Sequence, residues 1–369
     1  MRCSYLLIAF LVLTGSSQVP ASVFFDWALI EDPGNPSDAN GIGSVGYPFL
    51  MSKREVTNAQ YVEFLNSVDP NGVNPNGSFN QAMQNSGRGG IIRDTSSPNG
   101  EKYRVKPGFC ERPVNFVTFF DAMRFINWLH NGQGSGDTES GVYEISNGIS
   151  ELRSPTSKYF IPSENEWYKV AYYQSAADGG DTDNYWLYPT GTNSDPTPAI
   201  VDANGVVQNS GANVANFERG ADWNGLNGNV TKVTDSGGAS YYGVFDLAGN
   251  VMEWTEGIEG DSRILRGASW KSERPGLESN ATDTWPPAIT ENNFGFRVAA
   301  PIPDPCDKGD FTADGNVDLN DISQFVVVLL NPCQASFEDQ CVADMNVDYS
   351  VNSLDIPVFL DCVVNSVCP

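Results

Sequence analysis

The sequence predicts an α+β domain with little regular secondary structure, followed by a small all-α module. Three observations carry this. Thirty-six Gly and 23 Pro in 369 residues favour a loop-rich fold over a helix bundle. Helix-start signals alternate with short β-rich runs through the first 300 residues. After residue 305, an acidic loop followed by an apolar helix face occurs twice.

Three helix starts stand out. Thr57-x-x-Gln60 precedes Tyr61, Val62, Phe64 and Leu65. Thr118-x-x-Asp121 precedes Ala122, Phe125, Ile126 and Leu129. Ser163-x-x-Glu166 precedes Trp167, Val170 and Ala171. The third is a full capping box and the first a near one, in which a hydroxyl accepts from the third amide and a side chain returns to the cap amide. Strands are expected at Tyr241–Leu247, Arg263–Leu265 and Phe294–Ala299, and long loops at 69–100 and 131–150. Pro301 to Pro305 reads as a stiff linker. The expected organisation is a leader at 1–21, a domain at 22–300, a linker at 301–305 and a module at 306–369.

Composition excludes several functions. The net charge of −25 offers no basic stripe for nucleic acid or an anionic membrane. The single histidine, His130, rules out a three-histidine metal centre within one chain and leaves one base at most for a triad. It follows Leu129 at the end of an apolar helix and is expected to be exposed there, favoured by the helix dipole. Arg2, the apolar run Leu6–Leu13 and Val19-Pro20-Ala21 form a secretory leader, so a secreted or cell-surface location is expected. No later stretch approaches a membrane span. Loss of Cys3 leaves Cys110, Cys306, Cys333, Cys341, Cys362 and Cys368, whose clustering implies disulfides near the C-terminus.

In Gly243–Trp254, a Gly249-Asn250 turn separates two apolar runs. Asp246 and Glu253 flank it and could face one ion. The alternative is that Asp246 caps a turn while Glu253 pairs with Arg266 or Arg297.

The C-terminal repeat is sharper. Asp310, Thr312, Asp314, Asn316, Asp318 and Asp321 supply oxygens around a 12-residue loop with Gly315 at its sixth position. Asp344, Asn346, Asp348, Ser350, Asn352 and Asp355 repeat the pattern 34 residues later. Ile322, Phe325, Val326 and Leu329 follow the first loop, and Ile356, Phe359, Leu360 and Val363 follow the second at identical offsets. Pro357 falls in a first helical turn, where proline is tolerated. Tyr349 replaces the turn glycine, a strain of roughly 1–2 kcal/mol if left-handed. Cys306 to Cys333 and Cys341 to Cys368 each span 27 positions. Two disulfides within repeats are one of three pairings of those four, leaving Cys362 free or joined to Cys110.

Six ordered segments then become specific: 54–66, 112–129, 159–173, 243–254, 264–270 and 292–299. Together they closely resemble the sulfatase-modifying factor family, also called the formylglycine-generating enzyme family, over roughly residues 45–300. The resemblance implies a C-type-lectin-like variant fold. Its members include copper oxidases that convert a sulfatase cysteine to formylglycine, iron sulfoxide synthases, and exported proteins with no known reaction. It implies one calcium site at the side chains of Asp246 and Glu253 with the carbonyls of Gly249 and Val251. A second maps to Asn216 and Asn224 with the carbonyls of Phe217 and Leu226. It places Trp270, Ser272, Arg274 and Trp285 in a peptide groove, although Trp270 could be core and Trp285 a loop pin.

The copper-binding cysteines of the oxidases map onto Ser272 and Leu277, and no cysteine occurs between Cys110 and Cys306. A hydroxyl and an isobutyl group cannot hold Cu(I). No copper and no catalytic residue are therefore expected. The duplicated loop-helix units, read without an entering helix, resemble dockerin modules, which fold on calcium and dock onto cohesin domains. The expected function is an exported, non-catalytic binding or scaffold protein held by a calcium-dependent docking module. The alternatives are an oxidase acting on protein cysteine and a carbohydrate-binding part of a polysaccharide-degrading assembly.

Overall fold

The computed structural model describes residues 23–302, 308–312, 316–330, 332, 337–347 and 351–365. The expected leader, Asp314, Gly315, Asp348, Tyr349, Ser350, Cys306, Cys333 and Cys368 lie outside the described residues. The chain runs β1 (Trp27–Ile30), β2 (Phe49–Ser52), α1 (Asn58–Val68), α2 (Gln81–Asn85), β3 (Ile91–Arg93), β4 (Tyr103–Val105), α3 (Phe119–His130) and α4 (Glu164–Tyr172). Then come β5 (Thr197–Pro198), β6 (Val214–Ala215), β7 (Met252–Glu259), β8 (Ser262–Arg266), β9 (Asp283–Trp285), β10 (Phe294–Gly295) and β11 (Ala299–Pro301). Helices α5 (Ile322–Leu330), α6 (Phe337–Ala343) and α7 (Asp355–Asn365) follow. No helix among the described residues is long and apolar enough to cross a membrane.

Helices α1, α3 and α4 begin at Thr57, Thr118 and Ser163, each closed by a complete reciprocal capping box. Asp121 is short, yet its carboxylate still reaches the Thr118 amide at 2.9 Å. The apolar faces of α1 and α3 meet in an aromatic stack of Tyr61, Phe64, Phe125 and Trp128, closed by Phe296. These rings dominate the core because each removes a large apolar area from water.

Strand β2 pairs antiparallel with β1 and with β11, which brings Trp27–Ile30 and Ala299–Pro301 into one sheet. A second sheet has the order β10-β7-β8-β9, with β7 and β8 as an antiparallel hairpin and β10 parallel to β7. Strands β3 and β4 pair antiparallel, and β5 and β6 pair parallel.

Several expectations need correction. Tyr241–Leu247 forms turns with one isolated bridge rather than a strand. The run Phe294–Ala299 is split between β10 and β11, because Phe294 pairs with Met252 and Ala299 pairs with Met51. The 69–100 loop contains α2 and β3. Pro301, read as linker, closes β11 at the sheet edge, where a missing amide is harmless. His130 ends α3 as expected but is half-buried, and its Nδ1 accepts from the Lys158 amide at 3.2 Å. Burial, and after it the Lys158 charge, hold it below its ordinary value, opposing the cation that the helix dipole would favour.

Arg153 ties α4 to β7. Its guanidinium bridges Glu166 at 2.7 Å and Glu256 at 2.5 Å, stacked 3.8 Å over Phe160. Burial pushes Glu166 up, but the Arg153 charge and its hydrogen bonds outweigh that and hold it below the usual carboxylate range. Folding is therefore stabilised by ionised Glu166, and that stabilisation is lost as pH falls from about 4.5 through the lower folded value. Glu166→Gln keeps the capping contact but loses the ion pair. We predict a variant of lower melting temperature at pH 7, with the gap to wild type narrowing below pH 4.5 in a calorimetric pH series.

After residue 307, α5, α6 and α7 enclose a separate apolar cluster built on Phe325, Val328, Ala343, Met345 and Phe359. Phe325 and Phe359 occupy the same position in the two repeats and stack face to face, 3.9 Å apart and 9° from parallel. Helix α6 leads into the second loop, which corrects the reading of units lacking an entering helix. Val326 and Leu360 were expected on the buried face, but they are 40% and 49% exposed; Val328 is buried instead. Truncating Phe359→Ala removes half of the stack and should cost about 3–5 kcal/mol. Loss of cooperative melting of these helices, read by circular dichroism, checks this.

Candidate functional site

The turn before β7 gathers the first set of candidate residues. Gly249 and Asn250 both adopt left-handed backbone, with φ of 88° and 59°. A Cβ on Gly249 would lie 2.1 Å from the Asn216 carbonyl oxygen, so only glycine fits. That approach is a parallel bridge between Asn216 and Gly249. The two groups of residues expected to hold separate ions are therefore neighbours.

Glu253 is buried and fully engaged. Its two oxygens accept from Arg297 Nε and Nη2, each at 2.5 Å, and Trp167 Nε1 donates at 2.7 Å. Of the alternatives open in the sequence, the pairing with Arg297 is the one found. Arg266 instead pairs with Glu164. A cation here would have to share a Glu253 oxygen with Arg297. Asp246 sits beside the pair with φ of 57° and accepts from the Thr234 amide at 2.5 Å.

The sequence reading missed Glu55. It is buried against this turn and accepts from Asn250 Nδ2 at 3.1 Å. Burial pushes Glu55 well above its ordinary range, with the Asp246 and Glu253 charges adding to the effect. Burial also pushes Asp246 up to about 6. Three buried carboxyl groups thus face one guanidinium. The signal in the sequence was an acidic residue in the Arg54–Asn66 segment, just before the first helix cap.

Asn216 extends the network. Its Nδ2 donates to the Asn229 carbonyl at 2.9 Å and to Asn250 Oδ1 at 3.2 Å, while its Oδ1 is buried without a partner. Oxygen-only donors, excess negative charge and one orphaned carbonyl suit a hard cation rather than a soft one. Of the expected second set, Asn224 is exposed and its Nδ2 donates to the Gly87 carbonyl, which Asn229 Nδ2 also approaches, and Phe217 is buried in a cluster with Ala248 and Leu277. The Leu226 amide closes a turn onto Trp223. Among the described residues, no group of three or more His, Cys, Asp or Glu side chains is arranged to hold a metal.

Of the two readings open for Trp270, the ring takes the core one. Its ring is 1% exposed, packed with Phe109 and Trp223, and covered by the Arg88 guanidinium at 4.4 Å. Trp285 is half-buried and packs edge-on to Phe294, with its Nε1 buried and unpartnered. Arg274 is turned to Asp195 at 2.9 Å. Ser272 lies 3.1 Å from the Ser269 hydroxyl, which in turn accepts from Asn293 Nδ2 at 3.1 Å. Leu277 is buried in apolar contacts. The position of the copper-binding cysteines is thus a hydroxyl cluster and a piece of core.

The C-terminal loops show one geometry twice. Asp321 Oδ1 accepts from the Thr312 amide at 3.0 Å and Oδ2 from the Asp318 amide at 2.9 Å. Asp355 Oδ1 accepts from the Asn346 amide at 3.2 Å and Oδ2 from the Asn352 amide at 2.8 Å. Both aspartates are 0% exposed. Asp310 and Asp344 are buried at the matching first positions, and Asn316 lies on the first loop. Val347 is left-handed at φ 59°, two positions before Tyr349.

The disulfide expectation is corrected. No disulfide joins two described cysteines, and Cys110 is free and exposed. Cys362, expected to be free or joined to Cys110, is disulfide-bonded while Cys110 is not, and Cys341 is bonded too. The remaining expected partners, Cys306, Cys333 and Cys368, lie outside the described residues.

Residues 37–302 match the Sulfatase-modifying factor enzyme 1-like domain. The chain belongs to this family. Serine/threonine-protein kinase Pkn1 of Chlamydia trachomatis serovar L2 is 23% identical over 275 residues, covering 69% of this chain and 33% of its own length. The chain thus spans about a third of the curated relatives it first matches. Inactive C-alpha-formylglycine-generating enzyme 2 of Bos taurus is 37% identical over 68 residues, covering 16% of this chain and 23% of its own. Among solved structures, Treponema denticola variable protein 1 gives a TM-score of 0.42 at 16% identity, covering 75% of this chain and 95% of its own. CarF gives 0.43 at 17% identity, covering 76% and 100%. This member of the sulfatase-modifying factor family lacks the cysteine pair of a copper centre at Ser272 and Leu277.

Arg297 is the only guanidinium paired with Glu253 among the described contacts. Arg297→Met would leave Glu253 buried and unpaired, at a cost of about 3–5 kcal/mol. Urea unfolding of the purified chain should show this as a lower midpoint.

Proposed function

We propose that this chain is an exported, non-catalytic binding member of the sulfatase-modifying factor family, with a C-type-lectin-like scaffold and a calcium-folded, dockerin-like docking module after residue 305. One observation carries the reading: the position that holds two thiolates in the oxidases carries Ser272 and buried Leu277. Soft Cu(I) has no ligand there, and no histidine cluster exists to replace it. In the family's formylglycine chemistry, bound copper activates oxygen; this chain offers hydroxyls and an amide at that place.

Calcium suits the other donor sets. Asp246, the Gly249 and Val251 carbonyls and a shared Glu253 oxygen form one candidate, and the two C-terminal loops form two more. The docking role is supported by the duplicated outer faces of α5 and α7. Val326 and Leu330 on one helix, and Leu360 and Val364 on the other, are exposed at matching repeat positions. A cohesin-like protein is the partner proposed for them. A peptide remains the proposed ligand of the large domain; a glycan reading loses one of its two stacking rings with Trp270 buried and keeps the half-buried Trp285.

The test is a turnover experiment. Purified chain, loaded with Cu(I), is incubated under oxygen with a sulfatase-type cysteine peptide, and the peptide is read by mass spectrometry. The reading predicts unchanged cysteine. An aldehyde in place of the thiol would establish the oxidase alternative.

A further inference from the structure

Lys308 is the only basic residue after Arg297, in a stretch whose last 64 residues carry 11 acidic side chains. It lies two positions before Asp310, which opens the first loop, yet its side chain crosses to the second. Its ammonium donates to the Cys341 carbonyl at 2.9 Å and pairs with Asp344 Oδ2 at 3.4 Å. The lysine side chain is 17% exposed and the aspartate 6%, so the pair is largely shielded from water. The crossing is fixed by the backbone, because the Gly309 amide donates to the Val342 carbonyl at 2.9 Å. Gly309 is left-handed, and a Cβ there would lie 2.9 Å from Val317 and 3.2 Å from Met345. The segment before loop one is therefore held against the entry to loop two. By repeat position the counterpart of Lys308 is Val342, which brings no charge to the first loop.

We propose that Lys308 is a tethered counter-cation for the second loop, and that it sets that loop's calcium affinity. This rests on the reading of the repeats as calcium loops. Asp344 stands at the loop's first ligand position. A lysine ammonium placed on it neutralises the carboxylate that a divalent ion needs, so an entering ion has to displace Lys308. The second loop then fills after the first. The displaced lysine lies two residues from Asp310, which links the filling of one loop to the strand of chain that opens the other.

The test titrates the full chain, Lys308→Met and Lys308→Arg with calcium chloride in a calorimeter. Backbone amide NMR assigns each step: Thr312 and Asp318 report the first loop, Asn346 and Asn352 the second. The proposal predicts that Lys308→Met tightens the second loop about fivefold and leaves the first unchanged, while Lys308→Arg resembles wild type. An unchanged second loop overturns the proposal. So does equal tightening of both loops, which would mark a general charge effect. Absence of calcium binding at either loop in the wild-type chain would instead remove the calcium reading on which the proposal stands.

Discussion

Arg297 is the interaction on which the large domain depends. Its guanidinium grips Glu253 with two bonds, and it also donates to the Ser52 carbonyl at 3.0 Å and the Phe245 carbonyl at 3.0 Å. One side chain thereby joins strand β2, the turn before β7, strand β7 itself and the segment between β10 and β11. In a fold with few long strands, such a node replaces ladder hydrogen bonds as the means of holding loops in place. Burial of a charge demands a partner, so the pair also fixes the register of everything attached to it. Desolvation dominates the neighbourhood: Glu55 and Asp246 are both driven toward their protonated forms by burial.

The C-terminal helices rest on a different constraint, internal symmetry. Asp321 and Asp355 organise their loops through the same two amides, and Phe325 meets Phe359 at equal repeat positions. Lys308 breaks that symmetry, because among the described residues its ammonium meets the second loop and not the first. Two loops that look alike in sequence are thus electrostatically unequal.

Much of this was legible in the sequence. Hydroxyl–x–x–carboxylate or amide spacing located the starts of α1, α3 and α4, since capping is local chemistry. The repeat spacing located both aspartate cradles. What sequence alone could not rank was packing. Trp270 beside a family groove reads equally as surface or core until Phe109, Trp223 and Arg88 are seen to cover it. Glu55 was invisible because its role depends on a turn nearly 200 positions away. Val326 and Leu360 were assigned inward because helical spacing gives a face without saying how wide it is. The cysteine spacing likewise allowed three pairings and could not choose among them.

We propose that this scaffold takes hard ions through oxygen and that Ser272 and Leu277 offer no ligands to a soft redox metal. Crystals grown with both calcium and cuprous salts, measured at wavelengths that separate the two elements by anomalous scattering, test it most directly. The account predicts calcium beside Asp246 and no copper between Ser272 and Leu277. A copper peak seated there on protein ligands would contradict it.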